Sequence, residues 1–200
     1  MLSHLRPALV LLTLFVLLTG LAYPLAVTGV AQATMPRLAG GSLIEKNGKV
    51  VGSDLIGQNF VDAKYFHSRP SATSAADPAD ASKTVDAPYN AGNSSGSNLG
   101  PLSQKLIDRV KNDIGVYRAD GVQGALPADS VTTSASGLDP HISPENALSQ
   151  VARVAKARDL NPDTVRLAVN AHTERRTFGV FGEPRVNVLA LNLALDAIRP

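Results

Sequence analysis

Three stretches of the chain carry residue types that could do chemistry, and spacing decides against each. Gly48-Lys49 stands where the lysine of a phosphate-binding loop would stand, but Leu43 replaces the first glycine and Val50 the Mg²⁺-binding hydroxyl, so the cradle fails at both ends. Gly92-Asn93-Ser94-Ser95-Gly96 satisfies G-x-S-x-G, with Asp139 and His172 following in hydrolase order. That motif works because a strained strand-to-helix turn exposes its serine, whereas here the serine sits in a Gly/Ser-rich tract without a preceding strand pattern. The histidines are His4, His67, His141 and His172; no two share the i, i+4 spacing of a zinc helix, and Asp139-Pro140-His141 offers two ligands at most. Loop hydrogen bonding accounts for them better. Cysteine is absent, which removes disulfides, thiolate metal sites and a cysteine nucleophile.

Charge adds little. Lys and Arg number 19 against 17 Asp and Glu. The densest basic groups, Arg153, Lys156 and Arg158 or Arg175 with Arg176, lack the interleaved aromatics of a stacking platform. They read as solvated helix faces, and no nucleic-acid partner is expected.

The elements that must position any site begin with a long apolar segment. No charged residue falls between Pro7 and Pro36, and about 20 such residues suffice to cross a bilayer core. Ala31-Gln32-Ala33 resembles a signal-peptide cleavage site, but the apolar run, from Ala8 past Val30, exceeds the roughly 7 to 15 residues of a signal h-region, so a retained anchor is expected. Thr19, Ala22, Ala26, Gly29 and Ala33 recur every three or four residues. Small side chains on one stripe let a partner helix approach closely, which is how membrane helices associate; a merely permissive composition is the competing reading. Pro24 should disturb the helix near Gly20, because it lacks an N–H and crowds the preceding turn. Arg6 flanks one side of the span and Arg37, Lys46 and Lys49 the other, so charge does not favour a cytoplasmic N-terminus.

Beyond the span, Asn47-Gly48 between Leu43-Ile44 and Val50-Val51 predicts a β-hairpin with a type I′ turn over residues 42–53. Residues 72–100 are rich in Ser, Ala, Asp, Asn and Gly, with Val85, Tyr89 and Leu99 as the larger apolar side chains. Such a segment cannot bury a core of its own and is expected to gain its order from a partner. Leu102, Leu106, Val110, Ile114 and Tyr117 form a helical stripe. Ser143-Pro144-Glu145 and Asn161-Pro162-Asp163 each start a helix, the second running to about Ala171. Residues 186–198 alternate like a strand, yet their Leu and Ala favour the helix chosen here. The sum is an α+β chain: a tail at 1–6, a transmembrane helix at 7–35, and one mixed α/β domain at 36–200 with a long polar loop at 72–100.

Several polar segments mix turn formers with hydrogen-bonding side chains: Tyr65 to Ala72 (YFHSRPSA), Ser95 to Pro101 (SGSNLGP) and Ser134 to Ala147 (SASGLDPHISPENA). With GSLI from Gly41, VVGSDLIGQNF from Val50, QVARVAKAR from Gln150 and GEPRVNVLALNLAL from Gly182, in this order after an apolar helix, the chain resembles the C-subunit family of the bacterial Kdp potassium-pumping ATPase over nearly its whole length. The resemblance implies a non-catalytic, single-pass subunit of the inner membrane with its large domain outside the cytoplasm. Its partners would be the channel-like potassium-binding subunit and the ATP-hydrolysing pump subunit. The chain lacks a phosphorylation loop and a potassium-filter segment of its own. The family role is that of a catalytic chaperone that raises the pump's ATP affinity. The alternative is a structural clamp between the two larger subunits. No cofactor is expected from the chain's own motifs, and ATP enters only within the complex; a domain outside the cytoplasm would act on it through the membrane helices. Tyr65, Phe66, Arg69, Tyr89, Asn98, Leu99, Asp139 and His141 are the partner-contact candidates.

Overall fold

The computed structural model describes residues 4–198, a mixture of helices and short antiparallel strands in two compact units, Met1–Ser53 and Asp54–Pro200.

The first unit is dominated by one apolar helical stretch, Leu5–Thr34. It consists of α1 (Leu5–Leu17), a π-helical turn (Leu18–Ala22) and α2 (Tyr23–Thr34). The wide turn has a local cause: Pro24 offers no N–H and its ring crowds the carbonyl four residues back, so the ladder adjusts just before it and the Tyr23 N–H reaches Leu18 O. The expected disturbance near Gly20 is therefore a change of register. Thr19 Oγ1 donates to Phe15 O at 2.7 Å and Thr34 Oγ1 to Val30 O at 2.8 Å, so these hydroxyls are satisfied within the helix. Lipid would demand the same, since it offers polar groups no partner. A short helix, α3 (Pro36–Ala39), leads into the hairpin of β1 (Leu43–Lys46) and β2 (Lys49–Ser53). Asn47 and Gly48 take φ of 54° and 73°, the left-handed values a type I′ turn requires.

The second unit packs three helices against a small sheet. α5 (Pro144–Arg158), α6 (Pro162–Ala171) and α7 (Val188–Ala197) cover β5 (His141–Ile142), β6 (Thr173–Glu174) and β7 (Arg185–Asn187), which lie in the order β5-β7-β6. The core joins Val151, Val154 and Ala155 of α5, Val165 and Val169 of α6, Leu191 and Leu195 of α7, Ile142, Val186 and the ring of Phe66. The start signals act as read: Ser143 Oγ accepts the Asn146 N–H at 3.0 Å and Asn161 Oδ1 the Asp163 N–H at 2.8 Å. Near the C-terminus, Val186 and Asn187 remain in β7 before α7 begins. Asn187 makes the switch, because its Oδ1 caps Ala190 N at 3.0 Å while its Nδ2 holds Asp54 O at 2.9 Å.

α4 (Gln104–Ala119) is less embedded than its stripe suggests. It contains no buried residue; Leu102 precedes the helix and is 94% exposed. α4 is tied to the unit by polar contacts, with Tyr117 Oη donating to Asn146 Oδ1 at 3.3 Å and Asp120 at its end pairing with Arg153 at 3.2 Å. Residues 72–100 also depart from expectation. They contain β3 (Ser74–Ala76) and β4 (Thr84–Asp86), paired antiparallel, and a chain of turns held by backbone bonds and by side-chain-to-backbone bonds.

Candidate functional site

After a turn at residues 62–65, in which the Tyr65 N–H donates to Asp62 O at 3.0 Å, residues 66–71 cross the second unit outside any strand and pair with side chains instead. Asn192, 1% exposed in α7, accepts the Phe66 N–H at 2.8 Å and donates to Phe66 O at 3.0 Å. Gln150 of α5 repeats the pattern at the next residue, accepting the His67 N–H at 2.8 Å and donating to His67 O at 3.2 Å. Arg153 donates to Ala63 O and Tyr65 O, and Arg158 to Lys64 O. The two amides thus stand in for a neighbouring strand at Phe66 and His67, because buried N–H and C=O groups must find partners, while the two guanidiniums hold carbonyls of the preceding turn. Burial, then the Arg153 guanidinium, pushes the His67 imidazole below its usual value.

This segment delivers Arg69 and Ser71 to a platform of loops. Ser71 Oγ donates to Gly137 O at 2.7 Å and accepts the Tyr89 N–H at 3.0 Å. Thr73 Oγ1 donates to Ala87 O at 2.6 Å and accepts the Asn90 N–H at 3.1 Å. Ser95 N donates to Ser136 O at 3.0 Å, and Gly57 N to Leu138 O at 2.9 Å. Four motif segments far apart in sequence therefore meet in one clasp, and residues 72–100 owe their order to it. The missing apolar surface is replaced by hydrogen bonds that composition alone does not reveal.

Tyr89 sits inside this clasp. Its φ of 63° is unusual for a large side chain, its ring lies over Gly57, and its hydroxyl donates to Arg69 O at 2.7 Å. Burial pushes the phenol up to about 12. Arg69 Nη1 pairs with Asp139 Oδ2 at 2.9 Å while its other nitrogens reach Thr132 O and Thr133 O. Asp139 Oδ1 accepts the His141 N–H at 3.0 Å. Burial raises the Asp139 carboxyl, but hydrogen bonds from His141 and Arg69 outweigh it and hold the acid below its ordinary range.

Of the eight partner-contact candidates, Arg69, Tyr89, Asp139 and His141 are thus brought together in or beside the clasp. Phe66 is a correction: its ring is 0% exposed in the hydrophobic core and is closed to any partner in this fold. Tyr65 lies beside Phe60, with ring centroids 5.4 Å apart and the planes tilted by 50°, and under the Arg158 guanidinium at 5.0 Å. Asn98 is exposed with φ of 49°, and Leu99 is half-buried. Gln150 and Asn192 carry this site without a motif of their own; the signal in the sequence was amides within the apolar helical faces, Asn146 with Gln150 on α5 and Asn192 on α7.

Two clefts flank Arg69. One, of about 430 Å³, runs between the platform and α4 and is lined by Phe60, Tyr89, Arg109, Asp113 and Tyr117. Burial pushes Tyr117 up to about 12 and raises Asp113, the latter opposed by Arg109. The other, of about 670 Å³, places Asp129, Asp139, Glu145 and Glu183 around Arg69 and Arg185. Asp129 is committed there to the start of α5, accepting from Ser143 N at 2.7 Å and Ser143 Oγ at 2.8 Å. Four carboxylates against two guanidiniums, both already ion-paired, make this second cleft a poor fit for a triphosphate. Among the described residues no group of three or more His, Asp or Glu could hold a metal ion.

The acid sensitivity of the Arg69–Asp139 pair can be measured. A carboxyl held lower in the folded state than its unfolded value near 3.9 stabilises the fold above that value, and the benefit is lost as pH falls through the folded pKa. Asp139→Asn is expected to cost about 1–2 kcal/mol at pH 7 and to flatten the stability loss below about pH 4. Melts of the full chain from pH 3 to pH 7 check this, and an acid limb as steep as that of the unsubstituted protein contradicts it.

An α+β domain together with one apolar helix long enough to span a bilayer is the make-up of a membrane-associated protein. The chain belongs to the KdpC family, described as K+-transporting ATPase, c chain, which it matches over residues 5–197. It is 62% identical over 199 residues to the potassium-transporting ATPase KdpC subunit of Rhodopseudomonas palustris strain BisB18, covering 100% of both chains. It is 64% identical over 197 residues to that of strain BisB5, covering 98% of each, and 61% identical over 196 residues to that of Bradyrhizobium diazoefficiens, again covering 98% of each. The chain is therefore a subunit of a potassium-transporting ATPase, acting in ion transport beside other Kdp subunits, as the motif order implied.

Proposed function

We propose that the chain is an accessory, non-catalytic subunit that docks on the channel-like and ATP-hydrolysing subunits from outside the cytoplasm, anchored in the inner membrane by residues 5–34. The observation that supports this most is the helix itself. None of its most apolar window is buried within the chain, and a Cβ added at Gly20 or Gly29 would meet nothing within 4 Å, so its small-residue positions stand free for another helix. Ala26, Gly29 and Ala33 share α2, while Thr19 and Ala22 fall in the π-helical turn before it.

The subunit raises the pump's affinity for ATP without holding the nucleotide, by binding one pump conformation better than another. A tenfold gain requires about 1.4 kcal/mol of differential contact between those conformations. ATP affinity of the complex assembled with and without the chain tests this: it should fall without the chain, and an unchanged affinity in a complex that merely comes apart more readily favours the clamp. Ala26→Leu with Gly29→Leu should weaken assembly, whereas Val16→Leu should leave it intact. Equal loss from both would remove the role of the small residues.

A further inference from the structure

The most concentrated apolar surface of the second unit lies at a turn that the clasp does not use. Phe178 is 91% exposed, Val180 69% and Phe181 68%, all within four residues, whereas the large apolar side chains exposed elsewhere in this unit are more scattered. Monomeric proteins seldom leave such a cluster in water without a use for it.

The turn is built to keep its shape. It closes the β6–β7 hairpin, in which Thr173 faces Val186 and Glu174 faces Arg185. Thr177 N donates to Phe181 O at 2.9 Å and Phe181 N to Thr177 O at 3.0 Å, while Gly179 N reaches Arg176 O at 3.0 Å. Phe178 and Gly179 both take left-handed φ, at 54° and 74°. Below the tip, Arg185 pairs with Glu174 at 2.8 Å and Arg176 pairs with Glu183. From Val186 the same strand enters the hydrophobic core. The two rings are therefore held out on a braced stalk.

We infer that the tip Phe178-Gly179-Val180-Phe181 is a preformed anchor that inserts into an apolar pocket on another subunit of the potassium-transporting ATPase. The inference rests on the proposed docking of this chain on those subunits. Rigidity favours a protein over a lipid surface, because a fixed shape gains from a complementary pocket by avoiding the entropy cost of ordering a loop. Charge points the same way. Four charges of the stalk neutralise one another in two pairs, which lowers the cost of desolvating them at an interface, and Arg175 alone is too little for an anionic membrane that attracts clusters of bases. Exposed aromatic side chains at the centre of a desolvated pocket are the usual source of binding energy between proteins.

Titrating the full-length chain onto detergent-solubilised complex lacking it tests the anchor. Phe178→Ser with Phe181→Ser should raise the apparent Kd about tenfold or more, the loss expected of a hot spot, while Leu102→Ser should leave it unchanged. Neither should shift the melting temperature by more than a few degrees, since Phe178 and Leu102 are almost fully exposed and Phe181 is mostly so. A photoreactive benzoylphenylalanine at position 178, irradiated in membranes holding the whole complex, should give an adduct with a Kdp subunit. Unchanged affinity of the double variant, or adducts with lipid alone, overturns the anchor and leaves the docking reading standing. An unsubstituted chain that does not bind the other subunits overturns both.

Discussion

Asn192→Ala is expected to destabilise the domain by about 2–5 kcal/mol, because it strands both backbone polar groups of one buried residue, Phe66. Asn192 is 1% exposed in α7, and its amide satisfies the N–H and the C=O of Phe66 at 2.8 and 3.0 Å. Each buried group left without a partner costs about 1–3 kcal/mol, far more than the net gain of an ordinary hydrogen bond. The damage should spread, since Phe66 puts a fully buried aromatic ring into the core cluster and the adjoining residues carry Arg69 to the clasp. Asn192→Leu separates bonding from volume. It fills the site with a side chain of similar size yet leaves the same two backbone groups unpaired, so its loss should approach that of alanine. Denaturant unfolding of the full chain in detergent reads both variants, and a leucine variant within 1 kcal/mol of the original would show that packing, not hydrogen bonding, holds this segment.

That pairing also explains which parts of the fold were legible in the sequence. Asn47-Gly48, Ser143-Pro144 and Asn161-Pro162 state their structures within a few residues, because turn dihedrals and helix caps are local physics. The apolar span is equally local, although the π-helical turn before Pro24 required coordinates. Gln150 and Asn192 looked like ordinary polar interruptions, and their partners lie 83 and 126 positions away. Phe66 reads as a partner-contact candidate for the same reason: its segment is polar, and the amides of α5 and α7 let so polar a stretch lie against the core. Residues 72–100 looked unable to order themselves because composition counts apolar surface and not the geometry of Ser71, Thr73 and Ser95. Phe178 and Phe181 were passed over because two aromatics flanking a glycine do not indicate whether they face a core or solvent.

Gly137→Ala is expected to open the clasp, with a loss of about 2–4 kcal/mol and faster amide exchange through residues 72–100. Two effects combine at this position. Gly137 has φ of 68°, which costs a residue with a Cβ roughly 1–2 kcal/mol. A Cβ there would also lie 2.5 Å from Thr73 Cγ2 and 2.7 Å from Ser95 O, and the second obstacle is backbone that cannot rotate aside. Yielding would pull on Ser71, whose hydroxyl holds Gly137 O, and on the Ser95–Ser136 bond, so the strain falls on the contacts that order the polar segment. Two other glycines isolate the contributions. Gly121 has φ of 85° and open space around it, so Gly121→Ala should cost only the backbone part, near 1 kcal/mol. Gly57 has no positive φ, but its added Cβ would meet Tyr89 Cε1 at 2.4 Å and Asp139 O at 2.7 Å, so Gly57→Ala should displace the Tyr89 ring and loosen Arg69 by crowding alone. Hydrogen exchange and unfolding of the three variants should therefore rank Gly137→Ala as the most damaging and Gly121→Ala as the mildest, with fast exchange at residues 72–100 confined to the two clasp variants. If Gly137→Ala cost no more than Gly121→Ala, or if residues 72–100 exchanged equally fast in the unsubstituted chain, the interlocking of these loops would not be what orders them.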